Sequence, residues 1–161
     1  MNRTSLLRAA GLAVSFLLAA AAPAPTRAEP VAIIVDKDNP KSDIGLSELR
    51  ALLLGKRQEW GDGARAIVID LEPGQPARDA VNHAVLELDQ SDVDRYWVEQ
   101  KVRGAAAAPK VAPTAGSVVK LVARIRGAIA YVPAGLVDGT VKVLTVNGVA
   151  PGKPGYPIVA R

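Results

Sequence analysis

The residues around Gly74, between an apolar run and a helical pattern, are the best suited in the sequence to bind an anion. Pro76 suits the first position of a helix, which makes Gln75 the residue before it, and Gln is a poor N-cap. The backbone N–H groups of Ala77 and Arg78 therefore lack an obvious side-chain acceptor, and Gly74 lets a ligand approach the backbone. An oxyanion would accept those N–H groups and pair with the guanidinium, which a helix dipole otherwise disfavours in the first turn.

The same residues have a second interpretation that needs no ligand. Water can cap the helix, and Arg78 can form an ion pair with Glu72 or with another nearby carboxylate. The residue types and their spacing are compatible with both interpretations. An anion site and a solvated helix start therefore both remain open at this point.

Enzymatic chemistry has little support in the sequence. Cysteine is absent and histidine occurs once, which excludes thiol nucleophiles, zinc–thiolate sites and His-rich metal sites. His83 shares a helix face with Asp79, but no nucleophile accompanies them, so we predict a solvated face. Asp36, Asp38 and Asp43 lack the regular spacing of a calcium loop. We therefore predict a protein that is not an enzyme and that has no metal site and no cofactor.

Composition and charge limit the classes of partner. The chain has 161 residues, of which 49% are hydrophobic and 22% charged, and this is typical of one globular domain. The formal net charge of +4 falls to +1 without the three arginines of residues 1–28. The aromatic content of 4% is low for a protein that stacks on bases. We therefore predict no nucleic-acid partner.

Residues 1–28 have the pattern of a cleaved secretory signal peptide. Arg3 and Arg8 precede an apolar run of about 14 residues, from Ala9 to Ala22, which is too short for a membrane-spanning helix. Cleavage is expected after Ala28. An uncleaved membrane anchor is the alternative interpretation. The favoured one predicts a periplasmic protein with no stable membrane anchor after cleavage.

Strand and helix patterns alternate along residues 29–161, which we predict to form a single domain. Apolar, β-branched runs predict strands over residues 31–35, 66–71, 128–132 and 141–146. Apolar residues at helical spacing predict helices that begin with Ser47 as cap, at Pro76, with Ser91 as cap and near Ser117. Residues 105–113 read as an Ala/Pro linker. This order predicts an α/β fold, with a central sheet covered by helices.

Four segments together resemble a known family. Leu49–Lys56 with Glu59–Gly63 resembles the "L..IF.G....W.DG" signature of phosphate-type ABC-transporter substrate-binding proteins. Arg126–Val132 is similar to their "PGAIGYV", and Gly155–Ile158 to their closing "YP" strand. Arg95–Gly104 resembles the "YW…F.G" helix of the short PstS-like subgroup. The resemblance covers most of residues 31–160.

The resemblance implies a single periplasmic-binding-protein-like lobe with a mixed central sheet, and phosphate or a related oxyanion as ligand. It also implies an ABC-transporter permease or a sensor as partner. The loop at Glu72–Arg78 aligns with a Ser/Gly/Thr-rich phosphate-binding turn, although Gln75, Pro76 and Ala77 stand here in place of the hydroxyl residues. Ser42, after the first strand, is the one substitute for the Ser-rich loop of the missing lobe.

The expected ligand site therefore combines the residues of the Gly74 loop with one residue from the first strand's loop. Its members are Gly74, Gln75, Ala77, Arg78 and Ser42. The alternative function is a lobe that has lost its ligand and serves as an interaction module on an envelope transporter or sensor. The missing hydroxyl residues favour that alternative.

Overall fold

The computed structural model describes residues 28–161, which form a mixed sheet flanked by helices. The strands are β1 Glu29–Asp36, β2 Asp43–Ile44, β3 Ile67–Leu71, β4 Lys110–Ala112, β5 Ala128–Pro133, β6 Val141–Val146 and β7 Val159–Ala160. The helices are α1 Leu46–Leu53, α2 Pro76–Val81, α3 Gln90–Arg103 and α4 Ala115–Val122, with a π-helical turn at Asn82–Leu86 and a 3-10 turn at Ala134–Leu136. The predicted α/β class and the mixed central sheet are confirmed.

Strand β1 runs in the opposite direction to all the other strands. The sheet order is β2-β6-β1-β5-β3-β4, and β7 pairs with the start of β1. β1 is antiparallel to β5, β6 and β7, whereas β3 is parallel to both β4 and β5, and β2 is parallel to β6. Every strand except β1 therefore runs the same way, and their carboxyl ends lie at one edge.

The core lies on both faces of the central strands. Val31, Ile33, Ile34 and Val35 of β1 are completely buried. Side chains of successive strand residues point to opposite faces, so both faces of β1 are covered. A strand buried in this way needs a continuous apolar run rather than an alternating one, and residues 31–35 supply it.

The predicted linker over residues 105–113 contains a strand that the sequence does not reveal. Lys110–Ala112 forms β4, which pairs with Ile69–Leu71 in parallel. A strand of three residues has no recognisable alternation, and Pro109 and Pro113 flank it. Its existence depends on its neighbour in the sheet.

The two predicted helix caps, Ser47 and Ser91, are each wrong by two residues, and the helix expected to begin near Ser117 begins two residues earlier. Gly45, Asp89 and Thr114 cap α1, α3 and α4, so Ser47, Ser91 and Ser117 lie inside the first turns. Asp89 and Thr114 each accept a backbone N–H from the third residue of their helix, which satisfies a group that the helix itself leaves free.

The predicted signal peptide lies outside the described residues, apart from Ala28, and stays a prediction. Across residues 28–161, none of the helices has both the length and the apolar character that a membrane span requires.

Candidate functional site

The carboxyl ends of β3 and β4 lie side by side, and each leads into the start of a helix. Leu71 at the end of β3 pairs with Ala112 at the end of β4, and the Glu72 N–H donates to the Ala112 carbonyl at 3.2 Å. In open α/β sheets, ligands bind in the crevice beyond the carboxyl ends of the strands. This edge is the candidate site.

The start of α2 is built as the sequence predicts. Gln75 is the cap residue in an extended conformation, and its side chain makes no capping hydrogen bond. Gly74 has a φ of 85°, which favours glycine, and nothing lies within 4 Å of the position that a Cβ would occupy. Gly74 is exposed and Ala77 is buried. The loop therefore offers open space directly in front of the first helical turn.

The start of α4 supplies hydroxyl groups that the sequence reasoning missed. Thr114 Oγ1 accepts the Ser117 N–H at 3.1 Å and lies 2.9 Å from Ser117 Oγ. Both hydroxyl contacts are exposed to solvent. Thr114 itself is the signal in the sequence, because Thr is a favoured N-cap residue. A helix that begins near Ser117, as the apolar spacing predicts, leaves Thr114 outside the helix start.

A hydrogen bond joins the two helix starts. Gln75 Nε2 donates to the Pro113 carbonyl at 3.3 Å, immediately before the Thr114 cap. The side chain that does not cap its own helix is therefore used to hold the neighbouring loop. Two helix N-termini, each with a partial positive charge, consequently lie next to one another at the same edge.

Arg78 faces its own protein rather than the open loop. It is 4% exposed, and its Nε donates to Gln90 Oε1 at 3.0 Å. Its Nη1 donates to the Leu71 carbonyl and lies 3.3 Å from Asp70 Oδ2. Arg78 thus makes the ion pair that the sequence left open as the alternative, with Asp70 rather than Glu72 as partner. This ion pair explains why Arg78 occupies the first turn of α2, where the helix dipole disfavours a positive charge.

Asp70 lies under the loop at the end of β3. Its Oδ1 accepts the Leu71 N–H at 2.9 Å and the Tyr131 hydroxyl from β5. Burial raises the pKa of Asp70 to about 6, although the Arg78 guanidinium and the Leu71 N–H favour the charged form. Contacts among the Asp70 carboxyl, the Tyr131 hydroxyl and the Arg78 guanidinium thus stabilise the C-terminal end of β3.

The pH dependence of stability should carry a contribution from Asp70. Its pKa is about 6 in the folded protein, against an ordinary value of 3.8. Between these two values the folded state binds more protons than the unfolded state, so the free energy of unfolding falls as the pH rises. The fall amounts to about 3 kcal/mol, is absent below about pH 4 and is complete above about pH 6.

Urea unfolding between pH 3.5 and 7.5 checks this expectation in the wild type and in Asp70→Asn. The difference between the two stability curves should slope downward across that range. Asp43→Asn is the control, because the Thr145 hydroxyl lowers the pKa of the exposed Asp43 and its contribution has the opposite sign. A difference curve for Asp70→Asn that is flat with pH would contradict the prediction.

Ser42 is not brought to this site. It precedes β2, so it lies at the amino ends of the parallel strands, whereas Gly74 follows the carboxyl end of β3. Four strand spacings, about 19 Å, also separate β2 from β3 across the sheet. The Ser42 carbonyl accepts the Thr145 N–H at 3.0 Å. The expected grouping of Ser42 with the Gly74 loop does not occur, because β2 joins the sheet beyond β6.

His83 lies on the surface, as its helix face predicts. It lines a shallow depression of about 230 Å³ with Asp79 and Arg161. The other residues that line it are Pro76, Ala80 and Val159.

The fold is shared with receptors for phosphate. A Clostridium perfringens protein described as a phosphate ABC-transporter substrate-binding protein with bound phosphate superposes with a TM-score of 0.68 at 22% identity, over 83% of this chain and 53% of that chain. An ABC-type phosphate transport receptor from Vibrio cholerae gives 0.67 at 16% identity, over 83% and 54%. PstS from Borrelia burgdorferi gives 0.66 at 15% identity, over 83% and 55%.

The sequence alone finds no such relatives: no protein-family model matches it, and no curated protein matches it by sequence. The chain spans about half the length of the solved structures with which it superposes. The chain therefore shares its α/β fold with about half of each of these phosphate receptors.

Proposed function

We propose that this chain is a solute-binding protein for phosphate or a related oxyanion, with the ligand held at the carboxyl ends of β3 and β4. The observation that carries the proposal is the hydrogen bond from Gln75 Nε2 to the Pro113 carbonyl, which holds two helix starts together at that edge. Anions bind at helix N-termini because free N–H groups and the helix dipole both favour negative charge. The fold shared with phosphate receptors supports the same ligand class.

The donors would come mainly from backbone and hydroxyl groups. The loop at Gly74 and Gln75 and the first turn at Ala77 would supply N–H groups from α2, and Thr114 and Ser117 would supply hydroxyl groups from α4. A single lobe leaves the opposite side of the ligand in water, where each charged contact is weaker. We therefore expect a modest affinity and no covalent chemistry.

Arg78 would act on the ligand through the loop. Its guanidinium is engaged by Asp70, Gln90 and the Leu71 carbonyl, so it anchors the strand end from which the loop departs. Arg78 would therefore position the loop of the proposed site without contacting the ligand directly.

The cellular role proposed here is ABC-type phosphate uptake or sensing in the periplasm, after removal of residues 1–28. Its support is the sequence pattern of those residues and the description of the structural neighbours as phosphate transport receptors. An ABC permease or a sensor would be the protein partner.

Thermal unfolding with and without phosphate tests the ligand. At 100 times its dissociation constant, phosphate should stabilise the protein by about 2.7 kcal/mol, with sulfate and chloride at matched ionic strength as comparisons. Ser117→Ala should weaken phosphate binding about tenfold, because it removes a hydroxyl donor to a charged group.

Ser47→Ala is the matched control, because Ser47 is an exposed serine in the first turn of another helix, α1. It should leave phosphate binding unchanged. Phosphate that stabilises no better than chloride at millimolar concentration would contradict the proposed function. An equal effect of Ser47→Ala and Ser117→Ala would place the ligand elsewhere.

A ligand-free interaction module is the second candidate. The observation that favours it is that Nε and Nη1 of the Arg78 guanidinium already have partners within the chain. It predicts a stably folded protein on which phosphate has no effect in calorimetry. Heat of phosphate binding that disappears in Ser117→Ala would instead favour the binding protein.

A further inference from the structure

A second concavity lies at the opposite end of β3 from the proposed oxyanion site. It has a volume of about 210 Å³ and is bounded by the end of α1, the middle of α3 and residues 106–110. Ile67 and Lys110, which begin β3 and β4, form part of its lining. The two sites are thus separated by the length of β3, and no residue belongs to both.

The wall of this cavity is apolar and is held in place by packing. Leu52 and Leu53 are buried beneath it, and the Trp97 indole forms one side. Trp97 packs edge-on against Tyr96, with ring centroids 5.1 Å apart, and the Tyr96 hydroxyl donates to the Leu54 carbonyl at 2.7 Å. The indole therefore has a fixed orientation, which suits the binding of a flat or aliphatic group.

Gly55, at the end of α1, lets Ala106 and the Trp97 ring pack close to the backbone. Its φ is 65°, and a Cβ there would lie 3.1 Å from Ala106 Cβ and 3.3 Å from the Trp97 ring. The chain after α3 is consequently in close contact with the end of α1.

The charges around the cavity are of one sign. Arg57, Arg65 and Lys110 line it, and none of its lining residues in the described part of the chain is a carboxylate. Arg57 is paired with Glu48 at 3.2 Å. Within residues 28–161, no carboxylate oxygen comes within 4 Å of the charged nitrogens of Arg65 or Lys110. Two cations are therefore free to pair with an anion from outside.

We propose that this cavity binds a small organic carboxylate whose body is aromatic or aliphatic. Arg65 and Lys110 would pair with the carboxylate, while Trp97 and the small exposed part of Leu53 would cover the apolar body. The volume corresponds to about seven water molecules, which suits an acid of the size of phenylpropionate. An inorganic oxyanion has no apolar body to cover the indole, so phosphate is not the expected ligand.

Nuclear magnetic resonance of the indole N–H groups tests this proposal directly. The chain has two tryptophans: Trp97 lines the cavity, and Trp60 is buried with its Nε1 donating to the Gly127 carbonyl at 3.0 Å. Titration of the 15N-labelled protein with 3-phenylpropionate should shift the Trp97 signal to saturation and leave the Trp60 signal in place. Trp97→Phe assigns the two signals.

Charge and specificity are tested with matched ligands and variants. Neutral 3-phenylpropionamide should bind at least fivefold more weakly than the acid. Arg65→Gln and Lys110→Gln should each weaken binding of the acid about threefold to fivefold, as expected for a partly exposed ion pair. Arg95→Gln, an exposed arginine on the same helix as Trp97 but outside the cavity, should have no effect.

Four results would overturn the proposal: no saturating shift at the solubility limit of the acid, equal binding of acid and amide, a shift confined to Trp60, or competition by phosphate. Excess phosphate should leave the titration unchanged. Because the proposed oxyanion site shares no residue with this cavity, the result does not depend on whether phosphate binds there.

Discussion

Replacing Arg78 with methionine should lower the free energy of unfolding by about 3–5 kcal/mol. The guanidinium is buried, and it satisfies the Asp70 carboxyl, the Leu71 carbonyl and Gln90 together. Methionine fills similar space but leaves the buried polar groups without a partner. The loss is a large part of the 5–15 kcal/mol that usually stabilises a domain. Urea unfolding at pH 7 measures it.

Two companion variants separate the buried pair from a general effect of arginine. Arg95→Met removes an arginine whose side chain is 67% exposed and paired with Asp92, so the loss should be below about 1 kcal/mol. Arg78→Met combined with Asp70→Leu should lose less than Arg78→Met alone, because no carboxyl is then left unpaired. A loss below about 1 kcal/mol in Arg78→Met would show that the pair does not form in solution.

Replacing Gly127 with alanine should destabilise the protein by about 3–5 kcal/mol, through backbone strain and overpacking together. Its φ is 79°, and a Cβ would lie 2.2 Å from the Arg65 carbonyl oxygen. That carbonyl belongs to the backbone and cannot rotate away. Moving it would disturb the Ile67 N–H and the Trp60 indole, which both donate to the Gly127 carbonyl at 3.0 Å.

Gly63→Ala separates the two components of this effect. Gly63 also has a positive φ, of 82°, but nothing lies within 4 Å of the position of its Cβ. Its replacement should therefore cost about 1–2 kcal/mol, the strain of the left-handed conformation alone. Thermal unfolding of both variants measures the difference. Equal losses in the two variants would mean that the backbone at Arg65 yields without cost.

The stability predictions and the binding predictions concern neighbouring groups. Arg78, Asp70 and Tyr131 lie directly beneath the loop from which the proposed oxyanion donors emerge. A variant that breaks the contacts among Arg78, Asp70 and Tyr131 should weaken phosphate binding, because it changes the position of the loop. Ser117 lies on the separate helix α4, so Ser117→Ala reports on ligand contact without disturbing the contacts of Arg78.

The sequence by itself determined the main strands and the start of the proposed site. The runs at 31–35, 66–71, 128–132 and 141–146 contain apolar, β-branched residues that have no stable place outside a buried sheet, so each is found as predicted. Gly74, Gln75 and Pro76 likewise define a strand-to-helix loop with an uncapped helix start, because the backbone preferences of Gly and Pro act within a few residues.

Only the tertiary structure decided what surrounds that loop. Arg78 can reach several carboxylates, and its partner is Asp70 because the two lie on adjoining elements of the fold. Ser42 is excluded because β2 joins the sheet on the far side of β6, and Thr114 is included because β4 pairs with β3. Strand pairing joins residues that are distant in the chain, and its free energy depends on burial and hydrogen bonding in the assembled sheet. Local patterns therefore cannot specify which loops meet at its edge.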